Sequence, residues 1–336
     1  MSTISASSSA GMAFPIRRFV NRNFRVLLAF LVFLVLATLN AALNPRFFEP
    51  SVTTSTSNQA MTLIFAGTAQ TSVVITGGID LSVGPMISLA NSLASAFFAD
   101  SVPSVIGVVI LVLLVGALCG LVNGLIVVYG RLQPIIVTLA TSSIFSGIAL
   151  FLRPKPGGFV PGWYGDLLTK RIFDLIPNSL IFLLIILILV WTPFRRSRLG
   201  LWVYAVGSNE GAAYMSGIDV NRAKLSAYVM SGLFAAIAGL FLSASTLSGN
   251  ANTGAVYTLQ SIAVVVLGGT SLFGGSGGVV GTIFGAFSLR LIGGVLFFAK
   301  VNPLLQPLWE GVVILLAVVA GASRIFTVKN RLDIMR

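Results

Sequence analysis

RRSRLGLWVYAVGSNEGAAYMSGIDVNRAK, residues 195 to 224, is the longest interruption by charged and small residues in a chain of 336 that is otherwise mostly hydrocarbon. Apolar blocks precede it from Arg25 to Pro193 and follow it from Leu225 to Ala322. A segment this polar does not enter a bilayer, so it must lie at one membrane face if the flanking blocks are membrane spans.

Composition says that they are. The chain is 56% hydrophobic and only 9% charged, with mean hydropathy +0.98, whereas soluble domains carry about 25% charge. The apolar blocks run to about 20 residues, the length a helix rising about 1.5 Å per residue needs to cross a hydrocarbon core of about 30 Å. A transmembrane barrel requires alternation, and IFLLIILILV at 181 to 190 does not alternate. The expected fold is therefore all-α, a polytopic membrane helix bundle.

Reading along the chain gives about ten transmembrane helices, placed roughly at 25–43, 58–76, 85–100, 104–129, 134–152, 179–194, 225–247, 257–268, 281–300 and 304–323. A tail at 1–24 and another at 324–336 flank a single transmembrane domain at 25–323. No A-x-A site closes the first apolar block, so it reads as an uncleaved first helix. The net charge of +12 in a membrane chain is a statement about topology before it is one about partners. Of the 21 basic residues this count puts fourteen inside, six outside and Arg290 within a span, which favours both termini and the 195–224 loop in the cytoplasm. Residues 153–178 read as an outer loop with Trp163 and Tyr164 in an interfacial belt. Gly116, Gly120 and Gly124 form a small-residue stripe suited to close helix packing. GGIDLSVG at 77–84 matches GGTSLFGG at 268–275 at four of eight positions, a faint internal repeat that reads as two inner turns or helix breaks.

Catalytic and metal chemistry finds little footing. The chain has no His and one cysteine, Cys119, which excludes an internal disulfide and removes the commonest ligand and base. GGSGG at 274–278 fits a nucleophile pattern around Ser276 but lacks a histidine base. GGTSLFGGSGG lacks the Lys-Ser/Thr ending of a phosphate-binding loop, so the chain is not expected to hydrolyse ATP or to bind a cofactor.

Polar residues inside the apolar blocks are the candidates for a translocation path or gate: Asp80, Ser82, Asn91, Asn123, Gln133, Thr138, Gln260 and Glu310. Each can equally hold helices together, and both readings stay open. Asp80 stands before Leu81 and Ser82, where it can cap the third span or serve as a gate. Arg290 and Glu310 differ in depth by about 5 Å at helical rise, so they are expected to form a structural pair. Collectively the uncharged polar residues suit a neutral polar solute better than an ion. Within 195–224, Ser208 or Asn209 can cap a short helix, Glu210 favours its N-terminal dipole and Gly217 can end it. Its exposed face is expected to offer Glu210, Ala212, Ala213 and Met215 to a protein groove.

These residues resemble a known family. AVGSNEGAAYMSGIDVNRAK is similar to the cytoplasmic coupling segment of bacterial sugar ABC importer permeases of the ribose, galactose and xylose type, with Gly207, Asn209, Ala212, Ala213, Gly217 and Ile218 on the motif and Ser208 replacing a glycine. GGIDLSVG at 77–84, GRLQPIIVTLAT at 130–141 and AVVVLGGTSLFGGSGGVVGTIFGA at 263–286 resemble further hallmarks, in order over most of the chain. The resemblance implies a multi-pass subunit of the bacterial inner membrane that translocates a monosaccharide by alternating access. It implies a second permease subunit, a periplasmic sugar-binding protein and a cytoplasmic ATP-binding subunit that holds ATP and Mg. It implies lipid surroundings and no nucleic acid. The competing class is an ion-coupled secondary transporter of a small neutral polar solute, in which paired carboxylates would be expected.

Overall fold

The least greasy of the long helices sits at the centre of the bundle. In the computed structural model, which describes residues 13–305 together with 308, 309, 311, 312 and 315, helix α2 (Pro50–Val74) is buried at every position from Ala60 to Val74. It is surrounded by α3 (Val83–Phe97), α7 (Asn178–Arg196), α10 (Val220–Thr246), α11 (Ala255–Leu267) and α12 (Val279–Phe298). Its hydroxyls are satisfied within the helix, Thr68 Oγ1 donating to Ile64 O at 2.8 Å and Ser72 Oγ to Thr68 O at 3.0 Å, so burying them costs little. Thr71 and Thr282 share a hydrogen bond of 2.7 Å and tie α2 to α12. The helix begins eight residues earlier than the hydropathy suggests. Pro50 occupies its first turn, where the missing N–H is no loss, and Thr54 Oγ1 donates back to Pro50 O at 2.6 Å.

Helices α1 (Ala13–Leu43), α4 (Val102–Tyr129), α5 (Pro134–Leu152) and α7 form the rim. Among the described residues six helices are long and apolar enough to cross a membrane: α1 over Asn23–Leu43, α4, α5, α7, α10 and α12. The rim helices show exposed Leu, Ile and Phe side chains on their outer faces, such as Leu31, Leu114, Ile136 and Leu189, as expected of surfaces solvated by lipid. Helices α4 and α10 cross closely: a Cβ on Gly120 would overlap the Tyr228 carbonyl, and one on Gly232 the Gly116 carbonyl. That contact is the one the Gly116, Gly120, Gly124 stripe announces.

Nine of the ten expected spans contain a helix among the described residues, and the tenth, 304–323, lies largely outside them. Two of the nine are shorter than a span. Helix α3 has 15 residues and α11 has 13, about 22 Å and 20 Å at helical rise, against about 30 Å of hydrocarbon. The backbone that leads into them, residues 75–82 and 248–254, is non-helical, which is tolerated at membrane depth only where protein satisfies it. The 153–178 segment is likewise structured: it holds α6 (Gly162–Thr169) and a two-stranded hairpin, β1 (Arg171–Ile172) and β2 (Ile176–Pro177). Tyr164 is buried there, its hydroxyl donating to Leu240 O at 3.3 Å, so only Trp163 of the expected aromatic pair stays at the surface.

Helix α7 contains a π-helical turn at Leu187–Trp191, with Thr192 N donating to Leu187 O five residues back. Pro193 explains it: without an N–H, it offers nothing to the Leu189 carbonyl that an α-helical register would pair. After Ser197 the chain enters α8 (Arg198–Ser208) and then α9 (Glu210–Met215).

Candidate functional site

Asp80 lies at the centre of a buried polar cluster on the turn between α2 and α3. It is wholly buried. Oδ1 accepts from Ser82 N at 2.9 Å and Ser82 Oγ at 2.6 Å, and Oδ2 accepts from Ser231 Oγ of α10 at 2.8 Å. Asn123 of α4 extends the network by donating to Ser82 Oγ at 2.8 Å. Thr138 of α5 accepts from Leu81 N at 3.0 Å. With its amide oriented so that donors meet acceptors, Gln70 pairs with the Asp80 backbone, Nε2 donating to O at 2.8 Å and Oε1 accepting from N at 3.2 Å. Besides its own Asp80–Ser82 bonds, the turn is thus reached by side chains from four helices, α2, α4, α5 and α10, which is how a non-helical backbone is accommodated inside the bundle. None of the ion pairs among the described residues involves Asp80; hydroxyl and amide donors alone solvate its carboxyl.

The second turn, residues 268–278, meets the first. Gly275 N donates to Ile75 O at 2.9 Å. Five of its glycines have positive φ, among them Gly274 at +85° and Gly275 at +70°, a region in which L side chains are strained. Arg25 of α1 donates to Ser276 Oγ at 2.6 Å, so the serine of GGSGG is bound to an arginine instead of a base.

Helix α8 is wedged against both turns. A Cβ on Gly207 would overlap the Ile75 carbonyl and stand 2.6 Å from Gly275 N, so only glycine lets the end of α8 approach this closely. Tyr204 Oη donates to Gly277 O at 3.2 Å. Burial raises the Tyr204 phenol above its ordinary value, and the charge of Arg195, 5.9 Å from its ring, opposes that shift. The phenol therefore keeps its proton, and its donor role, across the physiological range.

Helix α9 follows at once. Asn209 caps it, Oδ1 accepting from Ala212 N at 2.9 Å, while Ser208 turns back to Tyr204 O at 3.0 Å. Gly217, at φ +78°, ends it, and Ile218 N closes on Ala213 O at 3.1 Å. Glu210 pairs with Lys224 of α10 at 2.8 Å and so bridges α9 to α10. Ala212 is exposed, but Ala213 is 5% exposed and packs inward, which corrects its expected place on the outer face: a six-residue helix tied at both ends must turn one of its two alanines to the bundle. The outward face carries Met215, 89% exposed, as expected, and adds Tyr214 at 74%.

The expected path residues divide. Asp80, Ser82, Asn123 and Thr138 come together. Asn91 belongs to the opposite end of α3, where it donates to Ser248 O at 3.1 Å and accepts from Asn250 N at 2.7 Å. Gln133 is exposed at the start of α5 and makes no side-chain cap. Gln260 Oε1 is buried on α11 without a partner among the described residues, and so is Arg290 Nε on α12. Glu310, the expected partner of Arg290, lies outside the described residues. Sequence reading missed Ser231, Tyr204 and Lys224 as members of the site. Ser231 and Tyr204 carry no local signal, because their partners are 151 and 73 residues away.

A multi-pass bundle whose one polar surface helix is seated on two interlocked turns has the build of a transporter's membrane subunit. The model of the family described as the permease component of branched-chain amino acid transport systems matches residues 52–321, and the chain belongs to that family. It is 34% identical over 299 residues to the ribose import permease protein RbsC of Escherichia coli (strain K12), covering 87% of this chain and 92% of that one. It is 35% identical over 297 residues to the ribose import permease protein RbsC of Bacillus subtilis (strain 168), covering 88% and 92%. Autoinducer 2 import system permease protein LsrD of Escherichia coli O9:H4 (strain HS) is 32% identical over 259 residues, covering 75% and 77%. No solved structure matches.

Proposed function

We propose that the chain is the membrane-spanning permease of an ATP-driven, binding-protein-dependent importer of the bacterial inner membrane, and that its cargo is a monosaccharide. The observation that carries the coupling is the wedge: α9 is too short and too firmly tied to move alone, and α8 joins it to both interlocked turns through Gly207. A push on α9 therefore reaches α2, α3, α11 and α12 together. In this reading Tyr214 and Met215 seat in a groove of a cytoplasmic ATPase, which holds ATP and Mg, and both termini lie on that side. Glu210, Ala213, Gly217 and Ile218 set the pose of α9, while Gly207, Ser208 and Asn209 form its stem. Asp80, Ser82, Asn123 and Thr138 form the element whose arrangement changes as access alternates. A second permease completes the path, and a periplasmic sugar-binding protein delivers the cargo. The printed names of the ribose relatives and the buried polar side chains, which are uncharged types apart from Asp80, support a sugar over an amino acid.

The test is reconstitution with the ATPase and binding protein. Replacing Tyr214 and Met215 by alanine is expected to lower ATPase association by tenfold or more, as loss of exposed aromatic anchors does at interfaces, while leaving the permease inserted and folded. Transport by this chain alone on an ion gradient, or full coupling in the double variant, would sink the reading.

A further inference from the structure

A groove of about 630 Å³ runs along α7 on the rim of the bundle, walled by α4, α6 and α10. Val109, Leu113, Ile181, Ile185, Leu233 and Ile237 line its length, and of its fifteen lining residues only Tyr164 and Asn178 carry a polar side-chain atom. Tyr164 is already engaged with Leu240 O. A sugar would find there only the Asn178 amide oxygen for its several hydroxyls. The groove extends from Asn178 to Val190, about 18 Å at helical rise, close to the half-thickness of a hydrocarbon core of about 30 Å. It thus spans one leaflet, beginning at the end of α7 remote from the coupling segment.

Its mouth has the marks of a headgroup level. The hairpin beside it projects Phe173, 94% exposed, together with Ile172, Leu175 and Ile176, apolar side chains of the sort that dip into an interface. Arg171 makes no ion pair or hydrogen bond through its side chain among the described residues, whereas neighbouring Lys170 is paired with Asp166 at 2.8 Å. Asn178 Nδ2 donates to Leu167 O at 2.9 Å, and its Oδ1 is buried and accepts nothing among the described residues. An arginine unpaired among the described residues, one residue before the lining Ile172, and an orphaned acceptor on the lining Asn178 call for a phosphate, a hydroxyl and a hydrocarbon chain on one molecule in this apolar slot one leaflet deep.

We propose that this groove binds an acyl chain of an anionic phospholipid from the leaflet remote from the coupling segment, with Arg171 on the phosphate and Asn178 Oδ1 on a headgroup or glycerol hydroxyl. The full-length protein, reconstituted into bilayers of phosphatidylethanolamine with phosphatidylglycerol carrying a photoactivatable acyl chain, should crosslink at least fivefold more at residues 164–190 and 233–240 than on the outer face of α1. Ile185→Trp, at a half-exposed lining position, should lower that crosslinking at least fivefold, and Arg171→Glu should abolish the preference for phosphatidylglycerol over phosphatidylethanolamine. Uniform crosslinking over all rim helices, or exclusion of lipid from the groove by protein-to-protein contact with a second copy, overturns the proposal. Unchanged lipid preference in Arg171→Glu overturns its headgroup half. If Ile185→Trp fails to fold, the crosslink map of the unaltered chain decides alone.

Discussion

The two turns that interlock beside Gly207 share the spacing Gly-Gly-x-x-Leu-x-x-Gly, yet they are stabilised in different proportions. The first is held mainly by side chains: Asp80, Ser82, Ser231, Asn123, Thr138 and Gln70 tie its inner part to four helices. The second leans on backbone shape, through five glycines at positive φ and main-chain bonds, with fewer side-chain ties, from Arg25, Tyr204 and its own Thr270. Even the last glycine of each octet differs in office. Gly84 lies within α3, with a Cβ there reaching to 2.5 Å from Gly254 O, whereas Gly275 bonds the first turn itself. Equal spacing in sequence therefore does not imply equal geometry; the residues between the glycines decide whether a turn is sealed by polar side chains or bent by conformational freedom.

Substitutions that exchange these two solutions should break the contrast. The largest effect is expected from Asp80→Ala, which leaves two or three buried donors without an acceptor at about 1–3 kcal/mol each, and so should lower stability in thermal unfolding by about 3–5 kcal/mol. Asp80→Asn keeps one acceptor and should cost about 1 kcal/mol; loss of transport in that variant at near-normal stability would make Asp80 a gate, and retained transport would make it a tie. Next comes Gly207→Ala, whose methyl must push α8 off Ile75. Overpacking of this sort costs about 1–3 kcal/mol, and ATP hydrolysis should become independent of transport; preserved coupling would mean that the wedge transmits nothing. Ser276→Ala removes only the hydrogen bond from Arg25 on the exposed face, for about 1 kcal/mol, and unfolding midpoints of the two variants should rank accordingly. The smallest effect is Glu210→Gln. The pair with Lys224 is partly exposed and is expected to be worth about 0.5 kcal/mol or less, with any coupling defect weakening as salt is raised; salt-independent loss would assign Glu210 a direct role.

Much of this was legible beforehand, and for identifiable reasons. The apolar blocks, the close helix crossing at Gly116 and Gly120, and the capped helix between Asn209 and Gly217 are local patterns, and each is present as expected. What escaped depends on contacts that no local pattern announces, the longest being those of Ser231 and Tyr204, 151 and 73 residues away. Ala213 faces inward because Glu210 is bound to Lys224 and Ile218 closes on its carbonyl. Helix α2 occupies the centre because its hydroxyls bond to its own carbonyls, which a hydropathy average counts as a penalty. The shortness of α3 and α11 was legible too: the expected spans 85–100 and 257–268 are about as short as the 15- and 13-residue helices observed, because the polar stretches ITGGIDLS and SGNANTG precede them.

The π turn before Pro193 bears on how this chain can change length. A π-helical turn holds one residue more than an α-helix of the same rise, so deleting one residue from Leu187–Trp191 would leave α7 a more regular helix. Because the extra residue is absorbed within that turn, the far end of α7, with Arg195, α8 and the glycine wedge, would stay close to its present position. A deletion elsewhere in α7 would instead turn everything beyond it by about 100°, so single-residue deletions should be tolerated in this one widened turn and in the hairpin loop at 173–175 far better than in the rest of the helix.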